Sequence, residues 1–533
     1  AWKLDRTAVD LNLTHANTDL IGNGAAPVQL LDVDRSAIYT RPDQTENELT
    51  LFSVTARHAL TDGLELSGNA YVRDSDVSTF NGDDSDFEEC EDTPGFMCEE
   101  EDDAEELLED AAGLPIPADD SLEGATVNRT ATRQDGSGIA FQAGLDGAFA
   151  SRPNSLIAGF AWDESDIAFH AGTELGRLDA TRRAVPGGVF RGDAFTRMAA
   201  DTSNLGFFVS DTWSPTERLT LTLSGRFNRT DVTLRDRLGT ALDGDHRFER
   251  FNPAVGVTFD VSDDLMLYAS YSESNRAPSP VELTCADEDD PCRLPNAFVA
   301  DPPLEQVVAR SFEAGVRGRA AALGLEWHAG AFSTTNDDDI LFVSAGALTN
   351  QGFFDNVGRT RRNGLELNLD GEVGDRFDWY AHYTFLDATF RNALAVPSHH
   401  HPLAAGGEIR VEPGDELPLI PRQLLKAGVR FAATPRLILG ADLFASGGQY
   451  SRGDEANMLG RIDGYSVLNL RAEYALKDAV RLFASVDNAF DAEYETFGVF
   501  GEADEVLGEG FDDPRFFSPG APRAAWIGVR LSF

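Results

Sequence analysis

Three consecutive histidines, His399-His400-His401, lie between Pro397 and Pro402 in a polar stretch. Neutral imidazoles are good ligands for transition metals. Adjacent residues rarely converge on one ion, so a solvated loop is the favoured reading and metal binding the alternative. Four cysteines form two local pairs, Cys90 with Cys98 and Cys285 with Cys292. An even count at short spacing reads as disulfides in an oxidising compartment. A zinc site is disfavoured, because the spacings are wrong and no histidine is near either pair. Positions 83–110 hold sixteen Asp or Glu in 28 residues and no Lys or Arg. Like charges at that density repel, so a floppy acidic loop is expected. Hard cations take oxygen ligands, so loosely bound divalent cations are the second reading, and capture of a cationic substrate the third. No metal site is assigned to any of these groups. On strands closed into a barrel, Arg226, Arg229, Arg276, Arg310, Arg317, Arg471 and Arg481 have the spacing of lumen-facing positions. Each could pair with a neighbouring carboxylate or contribute to a site for an anionic ligand such as a carboxylate-rich metal chelate. The ligand-binding candidates are Arg276 and the three histidines. No Gly-x-Ser-x-Gly or His-Glu-x-x-His pattern occurs, so neither an enzyme nor a cofactor is expected.

Composition narrows the field further. The 533 residues carry 44 basic and 90 acidic side chains, a net charge of −46, and only Lys3, Lys426 and Lys477 are lysines. Nucleic acid would be repelled by such a chain. A Walker-type phosphate loop is excluded too, since no lysine precedes Ser or Thr. No apolar run approaches the ~20 residues of a spanning helix.

The elements that would position these groups are strands. Leu219-Thr220-Leu221-Thr222-Leu223 alternates apolar and polar residues, as do 437–445 and 480–486. A period of two gives a strand one apolar and one polar face. About eighteen strand candidates follow one another, with starts near 3, 46, 63, 137, 153, 202, 216, 248, 264, 306, 322, 352, 375, 422, 435, 464, 478 and 521. Tight turns such as Leu60–Gly63 and Ser262–Asp264 alternate with long polar connections such as 18–45, 75–136, 171–200 and 392–421. A sandwich scatters its long loops over both ends, whereas a transmembrane barrel keeps short turns on the periplasmic side and long loops outside. The expected fold is therefore an all-β transmembrane antiparallel barrel. The chain ends with Ile527, Leu531, Val529 and Phe533 on one face, and an aromatic terminus of this kind resembles the recognition signal for insertion into a bacterial outer membrane.

Several segments resemble the barrel of a TonB-dependent outer-membrane receptor. Ser274-Asn275-Arg276-Ala277-Pro278, followed by Glu282-Leu283, resembles the family's "FRAP…EL" loop, with Asn275 where an aromatic is more usual. Ala309–Gly315 is similar to the next rising strand, and Asn363-Gly364-Leu365-Glu366-Leu367 to the "kGvElel" strand. Val486–Tyr494 resembles "veNlfDkeY", and Ser518-Pro519-Gly520 precedes the terminal strand as in the family. Order and spacing make the set specific.

The resemblance implies a barrel of about 22 strands closed by an N-terminal plug, so 1–533 is expected to be a barrel portion lacking the plug, the TonB box and about four strands. It implies an outer-membrane receptor of a Gram-negative bacterium that imports a scarce ligand with TonB-coupled energy. The ligand is most often a ferric siderophore or other iron chelate; vitamin B12, haem or an oligosaccharide would need the same barrel. The implied partners are outer-membrane lipid and lipopolysaccharide, the assembly machinery, and the inner-membrane TonB complex through the missing N-terminal segment. A passive porin and a surface barrel with a cation-binding acidic loop are the alternatives.

Overall fold

The computed structural model describes residues 2–22, 24–101, 104–192, 194–285, 292–293, 304–344, 351–477 and 479–532. Among them, one antiparallel sheet holds twenty strands. Setting aside the three-residue Trp2–Leu4 strand and Ala184–Phe190, which pairs with the outer part of Arg152–Leu178, eighteen long strands remain. They run from Thr7–Ile21 to Ala524–Leu531. Each pairs with its neighbours in the sequence of long strands, so the wall is an antiparallel meander.

Alternation is what makes this sheet a membrane wall. Leu221, Val257, Ala269, Ala314, Ala331, Leu365 and Phe385 stand directly opposite one another across seven strands. Three residues further toward the turns, on the other face, the row reads Arg317, His328, Asn368, His382, Lys426. Apolar residues face lipid and polar ones the lumen, because charge on the lipid face costs about 2–4 kcal/mol at the bilayer midplane. At the turn end, aromatics ring the outward face. The Phe149 and Trp213 rings meet edge to face at 5.6 Å. Trp327 stands opposite Gly318, and Trp379 opposite Gly371. Both glycines are required there: a Cβ on Gly318 would lie 2.5 Å from the Trp327 indole, and one on Gly371 would collide with that of Trp379.

The strand starts agree with the sequence reading at most positions, with four differences, one of them the strand expected near 202, which begins at Thr196. The expected first strand is broken by a turn at Asp5 (φ 24°) and Arg6. The connection expected over 75–136 is largely strand, because Leu64–Asp84 and Ala125–Phe149 run 21 and 25 residues. A tilted membrane strand needs only about 9–11 residues, so these strands continue well beyond the bilayer. Gln351–Asn356 is a strand of a loop hairpin, and the wall strand starts at Thr360.

The buried core lies in the loop layer rather than in the wall. Five apolar clusters of the described residues all sit at the loop end, the largest joining Phe169, Met198, Leu234, Leu283 and Ile340. The first and last loops meet there: Ala26–Pro27 pairs with Phe516–Phe517, and Arg35 bridges to Glu495 at 2.7 Å.

Candidate ligand vestibule

The loops and the strand extensions pack into a layer at the loop end of the wall, the vestibule of the barrel. The acidic stretch is folded into it. Phe87–Glu89, Met97–Glu101 and Ala104–Leu107 form a small sheet over Phe87, Met97, Leu108, Ile116 and Leu122, all buried. The floppy loop expected from charge density is thereby corrected: apolar residues spaced among the acids give it a core. Cys90 and Cys98 form a disulfide. Glu105 accepts hydrogen bonds from the backbone N–H groups of Glu91 and Asp92, and Glu89 from that of Gly95 at 2.8 Å. These carboxylates are spent on a turn. Cys285 is disulfide-bonded as well. The side chain of Cys292, its expected partner, lies outside the described residues, as does Phe533. Ile527, Val529 and Leu531 stand exposed opposite Ala484, Leu482 and Val480 on the outward face.

The structure distributes the candidate ligand residues rather than gathering them. Arg276 ends its strand and holds Glu282 at 2.7 Å. Glu282 also accepts from the Ser279 N–H at 2.8 Å, closing a capping box around Pro280–Leu283. Of the histidines, His399 is exposed. His400 lies 3.9 Å from Glu502. His401 is fully buried; its Nδ1 accepts from the Leu403 N–H at 3.1 Å, so its proton sits on Nε2 and is donated to Asp454 at 3.2 Å. Asp454 also accepts from the N–H groups of Met458 and Leu459. His401 is thus tied into loop anchoring, and the three imidazoles do not converge.

The arginines divide by face. Arg317, Arg471 and Arg481 face the lumen, where Arg481 pairs with Glu473 at 2.7 Å and Arg471 with Asp442 at 3.6 Å. Arg317 lies over the Tyr268 ring. Arg226 shares that face and donates to Asn228. Arg229 and Arg310 instead share the parity of the outward apolar row, in the outer parts of their strands. They are neutralised there by Asp231 and Asp337. The lumen expectation is corrected for these two, because the register with neighbouring strands, and not residue type, decides which face a strand position takes.

Sequence reading passed over a group that the loops bring together. Between 338–359, 391–422 and 447–464 lies a cavity of about 130 Å³, walled by Leu341, Phe342, Val396, Leu419 and Ile420. It sits on the inner side of the wall, since Arg362 and Phe390 line it from lumen-facing positions. Arg362 is held by Asp339 at 3.1 Å. Arg452 lies between the Phe342 and Phe497 rings, 5.6 Å from each centroid. Glu455 is 8% exposed and accepts from the Gly453 N–H at 3.0 Å through Oε1. Its Oε2 has no partner among the described residues. Burial pushes the Glu455 carboxyl up to about 7 and lowers the Arg452 guanidinium. In the sequence, Arg452-Gly453-Asp454-Glu455 looks like any solvated charged turn, and nothing in its spacing signals burial.

Residues 2–489 match the family described as TonB dependent receptor-like, beta-barrel. The chain belongs to that family. Among curated proteins it is 26% identical over 245 residues to the probable TonB-dependent siderophore receptor PiuA of Acinetobacter baumannii, covering 45% of this chain and 30% of that protein. It is also 26% identical over 293 residues to the ferric-pyoverdine M114 receptor PbuA of a Pseudomonas strain, covering 50% and 28%. These alignments span under a third of either relative. The crystal structure of PiuA from A. baumannii matches 99% of this chain and 72% of its own, with a TM-score of 0.68 at 15% identity. The closed form of the ferric-catecholate import receptor Fiu from E. coli gives the same TM-score at 14% identity, with the same coverage. The TonB-dependent receptor barrel belongs in the outer membrane of a Gram-negative bacterium. In that setting the short turns are periplasmic and the vestibule is extracellular, which puts the Cys90–Cys98 disulfide on the oxidising side. The family is one of transporters and receptors rather than an enzyme class. A cavity of about 1010 Å³ lies against the lumen face of this TonB-dependent barrel near the turn end, lined by paired charges such as Arg430 with Asp378 and Arg471 with Asp442.

Proposed function

We propose that the barrel serves the active uptake of a ferric siderophore or related iron chelate, energised through TonB. One observation carries the reading: the curated relatives, each aligned over about half of this chain, are a probable TonB-dependent siderophore receptor and a ferric-pyoverdine receptor. The folded loop layer supports it, since its apolar clusters bury residues where a rim of solvated loops would bury none. The ligand binds the loop-closed state more tightly than the released state, and that difference in affinity drives the change. A plug and TonB-contacting segment joined N-terminally to this barrel supplies the coupling, with the paired lumen charges as its polar seat. No catalytic step is assigned.

The test is radio-iron uptake by cells carrying or lacking the intact gene, over a panel of ferric chelates. Uptake of one chelate class should depend on the gene, on TonB and on the proton gradient. Gene-dependent entry that survives loss of TonB would replace this reading with a passive pore.

A further inference from the structure

We propose that the cavity at Arg452 and Glu455 is a recognition subsite for one flat, ring-sized group carrying an N–H or O–H donor beside an acceptor oxygen. Glu455 takes the donor through Oε2, and Arg452 donates to the acceptor. The proposal rests on the import reading for its biological ligand, and on the cavity alone for its chemistry.

Size is the first argument. At about 130 Å³ the space is close to a cavity of about 150 Å³ that holds benzene. It is far below the roughly 300–1,000 Å³ that encloses a drug-sized molecule. One group of a ligand enters, and the rest stays in the vestibule. The lining is the second. Phe342 offers a flat apolar face, and Leu341, Leu419 and Ile420 complete the apolar lining. Water satisfies such a cavity poorly, because each buried molecule needs about 2–4 polar partners. A single water could bridge Arg452 and Glu455, leaving most of the volume without partners.

The third argument is the unmet hydrogen-bonding capacity. A buried carboxylate oxygen left without a donor costs on the order of 1–3 kcal/mol. Among the described residues, no hydrogen bond or ion pair engages the Arg452 guanidinium either; it is held by two aromatic faces. An acceptor and a donor thus face one small apolar space, neither of them satisfied by the other within ion-pair distance. The wall also holds a left-handed residue, Leu419 (φ 60°), fixed by its N–H to the Tyr450 carbonyl at 2.9 Å. Strain of this kind in a non-glycine residue persists where the surroundings enforce it and clusters at ligand clamps.

The test uses the full-length receptor in lipid nanodiscs at pH 8, with benzamide as the probe and toluene as the control, followed by ligand-detected NMR. Benzamide should bind at least tenfold more tightly than toluene. Glu455→Leu should weaken benzamide at least tenfold while leaving toluene within twofold. Leu341→Trp, which fills the cavity, should abolish both. Equal binding of the two probes to the wild type, or benzamide binding that survives Leu341→Trp, would mean a water-filled loop cavity only. If Leu341→Trp fails to fold, Glu455→Leu decides alone: unchanged benzamide affinity overturns the subsite. Probe binding without any TonB-dependent chelate uptake would sink the import reading and leave the subsite standing; the reverse result would sink only the subsite.

Discussion

His401 and Glu455 are two buried titratable residues of one loop layer with opposite hydrogen-bond status. His401 uses both ring nitrogens, and its partner Asp454 has three donors. Replacing His401 with Ala removes a donor from a buried carboxylate, which costs about 1–3 kcal/mol. Limited proteolysis within 391–422 or 447–464 should accelerate accordingly, while the wall stays intact. Burial disfavours the charge of Glu455 and raises its carboxyl from the ordinary 4.5 to about 7 in the fold. The folded state therefore holds the extra proton between about 4.5 and 7. Loop stability is greatest below that window and falls as pH rises through 7, by on the order of 3 kcal/mol. Arg452 opposes the effect and Asp454 adds to it; Arg362 faces the same cavity already paired with Asp339. Hydrogen exchange of 447–464, corrected for intrinsic rates, should be slower at pH 5 than at pH 8. Glu455→Gln should flatten the difference; an unchanged pH profile would contradict the burial argument.

Elements show where alternation stops being informative. Within the bilayer, each strand's apolar positions match those of its neighbours, and starts near 63, 153 and 478 correspond to Leu64, Arg152 and Val480. Beyond it both faces meet water, and Thr126–Asp135 reads as loop although it is strand. One consequence is a cross-strand row of four carboxylates, Asp74, Asp135, Asp166 and Asp201, each directly opposite the next. Like charges so placed are destabilising by roughly 0.2–1 kcal/mol per pair. Asp166→Asn should raise the melting temperature at low salt, and the gain should shrink as salt screens the row. The folded acidic unit depends on a different device. Closing the eight-residue separation between Cys90 and Cys98 is worth about 2–3 kcal/mol in the chain-entropy model. A Cys90→Ser, Cys98→Ser double variant should therefore expose 85–124 to protease without moving the barrel's thermal transition.

At the scale of the molecule, face assignment can be checked directly with tryptophan. Trp162, Trp213, Trp327 and Trp379 occupy outward positions, whereas Trp526 faces inward and donates to Asp487 at 3.0 Å. Single-tryptophan variants in brominated lipid should be quenched at the first four sites and not at Trp526. Quenching of Trp526 would mean the wall is turned the wrong way. The alternation in 219–223, the turn and loop rhythm, and the motif at Ser274–Leu283 were legible in the residues alone, because a period of two and a membrane's thickness constrain every strand locally. The sequence by itself determined the barrel, its orientation and its family. Only the tertiary structure decided that the acidic stretch folds, that the histidines part company, that Arg229 and Arg310 face outward, and that Arg452 and Glu455 share a buried cavity. Those outcomes depend on register between strands and on packing between loops distant in the chain, and no local pattern encodes either.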